Sequence, residues 1–298
     1  METIGTILKK HSSLLTNYNI ENPRLNAELI ISYALNCKRI QLYIDFEKPL
    51  LESETIQINS LIERRIQREP LQYITGSTNF YGYNINVSKN VLIPRPETEI
   101  LVEKIVEDIE KTFPEKKKEI SILDIGTGSG CISIAISKEL LKKEIKFKIF
   151  AIDKSPDALK VAEENIKKNE IQSNYIKLAE KDLLEINEFK SNIDYIVSNP
   201  PYVSLTEYNN LQEEIKNYEP ADAITDFKDG FVYIDKIIEL GLGCSFSNKI
   251  FIEIGNNQAG RLSELLKQKE IKEFKFFKDF QGIKRILYIY NESNNSKS

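Results

Sequence analysis

Three short stretches of the chain have residue types and spacing that could do chemistry. The first is Asn199-Pro200-Pro201-Tyr202, directly after the apolar run Ile193–Ser198. Two consecutive prolines fix φ, halt sheet pairing and donate no N–H, so the carbonyls of the turn face outward as acceptors. The Asn199 side-chain oxygen and the Pro200 carbonyl could accept two hydrogen bonds from one planar NH₂ group, with the Tyr202 ring over its face. Pro201 keeps the turn stiff. That grip suits an sp²-attached amine, either a carboxamide or the exocyclic amine of a base; a proline turn that only ends a strand has the same composition.

The second stretch is Asp124-Ile125-Gly126-Thr127-Gly128-Ser129-Gly130, between a strand pattern and a helical one. Its glycines let the backbone bend sharply and let a ligand approach main-chain atoms, and the helix that follows offers free N–H groups. The spacing is GxGxG rather than the GxGxxG of dinucleotide binders, so a pyrophosphate is not clearly called for. A tight strand-to-helix turn would look the same. The third is Asp153, at the end of the next strand pattern and 23 residues beyond Gly130. An acid there can accept both hydroxyls of a ribose, yet Asp153 and Ser155 also precede Pro156 as helix caps would. Asp182 follows the run Tyr175–Leu178, where adenine contacts arise, and reads equally as a solvated loop acid.

Alternating elements must position these residues. Strand patterns cover Ile120–Ile125, Phe147–Ile152, Tyr175–Leu178, Ile193–Ser198, Lys249–Ile254 and Arg285–Tyr290, with helices at about 130–143, 155–169 and 257–268. Strands separated by helices imply an α/β fold with a mostly parallel, doubly wound sheet. A helix from Glu97 carries Leu101, Val102, Ile105, Val106 and Ile109 as its apolar stripe. Residues 1–70 read as a small helical domain. Ile4, Ile7, Leu8, His11, Leu14 and Leu15 form one face, and Leu25, Leu29, Ile30 and Tyr33 a second. A third helix after Ser53 has Arg64, Arg65 and Arg68 largely outward. Residues 71–95, with Tyr73, Phe80, Tyr81, Tyr83, Ile85 and Val87 broken by Gly76 and Gly82, read as a connecting β-hairpin over Gln72–Val91. Residues 96–298 then form the catalytic domain, and Asn291–Ser298 a frayed polar tail.

Composition narrows the function. The 298 residues carry 41 Lys and Arg against 45 Asp and Glu, a net charge of −4. That balance opposes an affinity resting on a chain-wide phosphate footprint. A single histidine, His11, in a helical pattern near the N-terminus argues against a serine–histidine triad, a cysteine–histidine pair or a multi-histidine metal centre, and no metal is expected. Cys37, Cys131 and Cys244 lie far apart without a CxxC, as in a reducing cytosol. No run reaches membrane-spanning length and the N-terminus lacks a signal-peptide core, so a cytoplasmic protein is expected.

With these residues the chain resembles the S-adenosylmethionine-dependent methyltransferases of the class I, Rossmann-like fold, and within them the HemK/PrmC family of release-factor N5-glutamine methyltransferases. Glu69–Ile74, Leu92–Glu99, Leu123–Gly130, Val197–Tyr202, Glu253–Gln258 and Lys278–Gly282 fall in family order. Asn-Pro-Pro-Tyr alone is shared with adenine-N6 and guanine-N2 methyltransferases; the Leu92–Glu99 block is more specific. The resemblance implies S-adenosylmethionine as methyl donor, S-adenosylhomocysteine as product, and the glutamine of the Gly-Gly-Gln loop of peptide-chain release factors as acceptor. It implies cofactor contacts from Asp124, Gly126, Thr127, Gly128, Ser129, Gly130, Asp153, Asp182, Leu183 and Asn199. Substrate contacts would come from Asn199, Pro200, Pro201 and Tyr202, of which Asn199, Pro200 and Tyr202 are catalytic. The N-terminal helices and hairpin would dock the release factor, with Arg95 either touching that partner or forming a structural salt bridge.

The rivals are an amino-methyltransferase acting on adenine or guanine in nucleic acid, one acting on a glutamine of a ribosomal protein, and a degenerate fold that only binds. A base methyltransferase would need base extrusion and a basic groove, so no stable nucleic acid binding is expected, and the protein is expected to be a monomer without membrane contact. The chain departs from the family at Ala223–Gly230, where a glycine pair is usual, and at Leu183, where some relatives place an aromatic residue beside the adenine.

Overall fold

The computed structural model describes residues 2–188, 192–243 and 249–290. Cys244 and the tail Asn291–Ser298 lie outside them. The chain divides into two compact units, Met1–Ser77 with Gln212–Tyr218, and Thr78–Leu211 with Glu219–Ser298.

The first unit holds α1 (Ile4–Asn17), α2 (Pro23–Ala34), α3 (Gln41–Ile44), α4 (Glu52–Ile66) and α5 (Leu71–Thr75). Thr3 caps α1 in a capping box with Thr6, and Pro23 starts α2 where its missing N–H costs nothing. Ile7, Leu8 and Leu15 of α1 meet Ile30, Ile31, Ile58 and Ile62 in one apolar core. Three readings need correction. Leu25 and Tyr33 are exposed, because α2 turns Ala27, Ile30 and Ile31 inward instead. Arg65 is buried rather than outward. Its Nε donates to Asn26 Oδ1 (2.9 Å) and its Nη2 pairs with Glu214 (3.3 Å) on a later helix, Glu213–Tyr218, which belongs to this unit. Residues 71–75, read as part of the hairpin, form one helical turn that Gly76 ends at φ 73°.

The second unit opens with the hairpin β1 (Ser77–Phe80) and β2 (Tyr83–Asn86), then α6 (Thr98–Thr112). The main sheet follows: β3 (Ile120–Ile125), α7 (Cys131–Lys142), β4 (Phe147–Asp153), α8 (Pro156–Lys168), β5 (Ile176–Glu180) and β6 (Tyr195–Ser198). After α9 (Leu205–Tyr208) and α10, the helix Glu213–Tyr218 already described, come α11 (Val232–Gly243), β7 (Lys249–Glu253), α12 (Ala259–Gln268), β8 (Phe274–Lys278) and β9 (Lys284–Ile289). Strand order is β5-β4-β3-β6-β7-β9-β8; the first five are parallel, and β9 runs antiparallel to β7 and β8. The mostly parallel sheet is as expected. The sequence pattern leaves out the short helices α3, α9 and α10, the strand β8, and α11, whose Ile234, Ile237 and Ile238 are fully buried beside Ile196, Ile250 and Ile252.

Period-2 alternation sends Leu123, Ile125, Ile196 and Ile250 to that core, and Tyr195, Phe251 and Tyr288 to the opposite face. There Asp108 of α6 accepts from Tyr195 (2.8 Å), Tyr288 (2.6 Å) and Lys249 (2.7 Å). Although burial opposes its charge, Lys249 and the two hydroxyls hold its carboxyl below the ordinary aspartate range. Asn165 of α8 is a second polar staple. Its oxygen accepts from Asn86 N (2.7 Å), and its amide donates to the Asn86 and Ser129 carbonyls (3.0 and 2.9 Å).

Replacing Asn165 with leucine leaves three buried or half-buried backbone groups unpaired, so urea denaturation should show a loss of roughly 2–5 kcal/mol. His11 supplies a pH test. Burial lowers its pKa from 6.5, and among the described residues neither ring nitrogen has a partner at ordinary hydrogen-bond distance. The folded chain therefore excludes a proton that the unfolded chain binds, so stability is intact above about 6.5 and falls as pH drops below it. Thermal midpoints measured from about pH 7.5 to 5.5 should show this slope, and His11→Leu should reduce it.

Candidate functional site

The sheet's switch point lies between β3 and β6, since β4 and β5 continue to one side and β7 to the other. Ligands of open α/β sheets bind there, beyond the carboxyl ends of the strands. Ile125 and Ser198 are register partners at these ends, and the Ser198 hydroxyl donates to the Ile125 carbonyl at 2.8 Å. The glycine bend leaves β3 and the Asn199 corner leaves β6. Both open onto one cavity of about 380 Å³, within the range of small-molecule sites.

Of the residues singled out in the sequence, Gly126, Gly128, Asp153, Asp182, Leu183, Asn199, Pro200 and Pro201 line this cavity. Asp124, Thr127, Ser129 and Gly130 do not; they shape the bend from behind. Asp124 is fully buried and accepts from the Thr127 (2.8 Å) and Ser133 (2.5 Å) hydroxyls. Burial, little offset by those hydroxyls, pushes its carboxyl up to about 6. Ser129 offers its carbonyl to Asn165, and Gly130 lets α7 approach Ala162 closely. At Gly128 a φ of 55° turns the N–H into Asp153 Oδ2 at 2.8 Å.

Asp153 Oδ1 accepts from Ser155 N (2.9 Å), while the cap of α8 is Ser155 itself, accepting from Ala158 N. Asp153 is therefore not the helix cap; it organises the turn by accepting from Gly128 N and Ser155 N, and a carboxylate has about four acceptor sites. Burial raises its pKa above the ordinary value. Asp182 accepts from Leu184 N (2.8 Å), and buried Leu183 supplies an aliphatic wall.

At the other end of the cavity, Asn199 Nδ2 donates to Thr98 Oγ1 (3.0 Å), leaving Oδ1 as a free acceptor among the described residues. Tyr202, expected over a planar amine, is not among the lining residues. Its hydroxyl donates to Glu253 Oε1 (3.1 Å) and its carbonyl accepts from Gln258 Nε2 (3.0 Å). Gln258 also donates to the Gly230 carbonyl (3.0 Å) and accepts from Gly255 N (2.8 Å).

Thr98, Glu253 and Gln258 carried no role in the sequence reading, although they lie in its motif blocks. The divergent segment Ala223–Gly230 is organised by Asp226, which accepts from the N–H groups of Lys228 (2.8 Å), Gly230 (3.0 Å) and Val232 (3.1 Å). Arg95 pairs with Glu219 at 2.6 Å, and Glu219 also accepts from Ile93 N (3.0 Å). Among the described residues no cluster of His, Cys, Asp or Glu could hold a metal ion, and no helix is long and apolar enough to cross a membrane.

Comparison with known proteins agrees with this geometry. Residues 6–76 match the PrmC N-terminal domain and residues 97–217 the methyltransferase small domain. The hMettl16 catalytic domain, solved with an RNA hairpin, superposes with a TM-score of 0.55 at 15% identity over 82% of each chain. The N-terminal domain of human METTL16 gives 0.50 at 17% identity over 80% of this chain and 81% of its own. The fold is that of a class I methyltransferase. The release factor glutamine methyltransferase of Thermodesulfovibrio yellowstonii is 42% identical over 88% of this chain and 91% of its own. That of Rhodopirellula baltica is 33% identical over 96% and 95%. This chain belongs to the release factor glutamine methyltransferase family.

Gly230 provides a check on the corner. At φ 83° an added Cβ would sit 2.2 Å from the Tyr202 carbonyl oxygen. Gly230→Ala should therefore destabilise the protein by roughly 1–3 kcal/mol in urea denaturation, through overpacking and backbone strain.

Proposed function

We propose that this protein methylates the side-chain amide nitrogen, N5, of the glutamine in the Gly-Gly-Gln motif of a peptide-chain release factor, in support of translation termination. The observation that carries this reading is the shared cavity, with a nucleoside-suited acid and glycine bend at one end and an acceptor-only amide grip at the other. The family implies S-adenosylmethionine as donor, and the residues present fit it. Asp153 keeps acceptor capacity for ribose hydroxyls, Gly126 and Gly128 bring bare backbone to the cavity, and Leu183 offers an apolar face. When bound, the sulfonium supplies an activated methyl electrophile and leaves as S-adenosylhomocysteine.

The chain's own contribution is alignment. An amide nitrogen is a weak nucleophile because its lone pair is shared with the carbonyl. Asn199 Oδ1 and the Pro200 carbonyl hold its two N–H bonds and aim the nitrogen at the methyl; fixing such geometry is worth up to about 7–11 kcal/mol. The same acceptors stabilise the positive charge that grows on the N–H groups. No base stands at the corner in this reading, and the proton leaves to water. The helical N-terminal residues dock the release factor. The protein is taken as a cytoplasmic monomer that holds no nucleic acid stably, in keeping with its net charge of −4.

Radiolabelled methyl transfer to purified release factor tests the proposal, beside a Gln→Asn variant of the Gly-Gly-Gln loop and a DNA control. Label should enter the first substrate only. Asn199→Ala should lower kcat by about 10²–10³, far more than it weakens cofactor binding. Near-normal turnover of that variant on saturating release factor would rule out the grip.

A further inference from the structure

Among the described residues, Phe280 stands apart from the other exposed apolar side chains. It is 99% exposed, where the next, Ile44, is 68% exposed. Yet its turn is tightly held. Asp279 N donates to the Ile283 carbonyl (2.8 Å), and Asp279 Oδ1 accepts from Gln281 N and Ile283 N (both 2.9 Å). Asp279 Oδ2 accepts from Arg285 Nε (3.1 Å), and Gly282 closes the turn at φ 82°. The fold thus fixes the backbone and leaves the ring in water. A lone exposed apolar side chain is ordinary; the place of this one gives it meaning.

β8 and β9 meet at this turn, with Lys278 paired to Lys284. β9 runs antiparallel to β7, with Glu253 opposite Ile286 and Ile254 N donating to the Arg285 carbonyl (2.8 Å). The turn therefore emerges at the carboxyl end of the parallel strands, the end at which the Asn199 corner leaves β6. The order β6-β7-β9 puts β9 two strand spacings, about 10 Å, from β6. Arg285, which steadies Asp279, also faces Glu253 and the Tyr202 hydroxyl electrostatically. Turn and corner are neighbours.

Resting on the reading of that corner as an amide grip, we infer that Phe280 anchors the protein substrate by packing on the main chain beside the acceptor glutamine. Extended chain advances about 3.3–3.6 Å per residue, so a span of about 10–15 Å is three or four residues. The glycines next to the glutamine leave peptide planes bare, and a rigid ring with two side-chain torsions covers such surface at small entropic cost. Lys278 and Lys284 are exposed at the base of the turn, which suits a neutral or acidic segment. The contact is one of binding only; aim at the methyl group stays with Asn199 and Pro200.

The test is steady-state methyl transfer by the full chain to release factor, beside cofactor titration and thermal melts. Phe280→Ser should raise KM for release factor by at least about tenfold. Its kcat, cofactor affinity and thermal midpoint should stay near wild type, because the ring supports nothing in the fold. The chain has no tryptophan, so Phe280→Trp restores a ring and adds a single reporter. That variant should keep KM near wild type, and its emission should shift to the blue on adding release factor, with release factor alone subtracted. Wild-type KM in Phe280→Ser, a KM rise matched by a fall in thermal midpoint, or a blue shift that follows DNA or enzyme concentration instead of release factor would overturn the inference. If any of these occurs while Asn199→Ala is inactive, the grip stands and only the anchor falls. If Asn199→Ala is fully active, the reading beneath it falls as well.

Discussion

One pair of hydrogen-bonded strands governs the site. β3 and β6 are sequence-distant, yet they pair in parallel register from Ile122↔Tyr195 to Ile125↔Ser198. Because the crossovers from β3 and β6 diverge to opposite sides, the sheet leaves a crevice at their carboxyl ends. A glycine bend on one strand and a proline-stiffened corner on its neighbour are then forced to face the same space. The Ser198 hydroxyl, bonded to the Ile125 carbonyl, ties the two exits together at their roots. A slip of one residue would reverse which side chains meet each core.

Around that crevice the loops are held by carboxyl groups, most of them without a cationic partner. Asp124 takes two hydroxyls, Asp226 takes three backbone N–H groups, and Glu253 takes the Tyr202 hydroxyl; Glu219 alone of these has an arginine. Burial of a carboxylate costs free energy unless donors replace its water. Where only neutral hydroxyls are supplied, the cost shows as a raised pKa, as at Asp124 and Glu253. Asp108 is the contrast: with Lys249 and two tyrosines it is held low. Two buried carboxyls behind the cavity, Asp124 and Glu253, are thus less completely compensated than Asp108.

Much of this was legible in the residues. The strand and helix alternation, the bend, Asp153 and the Asn199 corner each carry a local signal, because periodicity, glycine and proline act over a few residues. What was missed depends on distance in the chain. Thr98 meets Asn199 across 101 positions, and Tyr202 meets Glu253 across 51, so neither pairing leaves a spacing to read. Arg65 looked like a helix-surface cation, and only its meeting with Glu214, 149 residues on, explains its burial. α11 escaped because its buried isoleucines are followed by Gly241 and Gly243, which weaken a helical pattern. A Cβ at Gly241 would fall 2.3 Å from the tip of the Ile250 side chain, which would have to shift.

The departure from family pattern at Ala223–Gly230 follows from the same logic. Asp226 binds the backbone N–H groups of Lys228, Gly230 and Val232, and Gln258 binds the carbonyls of Tyr202 and Gly230. These bonds use main-chain atoms, which every residue type supplies. The intervening side chains, Phe227 and Lys228 among them, are exposed and free to differ. Gly230 is constrained by contact, because the Tyr202 carbonyl occupies the space a side chain would need. The loop therefore tolerates the loss of a glycine pair while Asp226, Gly230 and Gln258 remain. The corner that Tyr202 closes keeps its shape through bonds to the Tyr202 and Gly230 carbonyls.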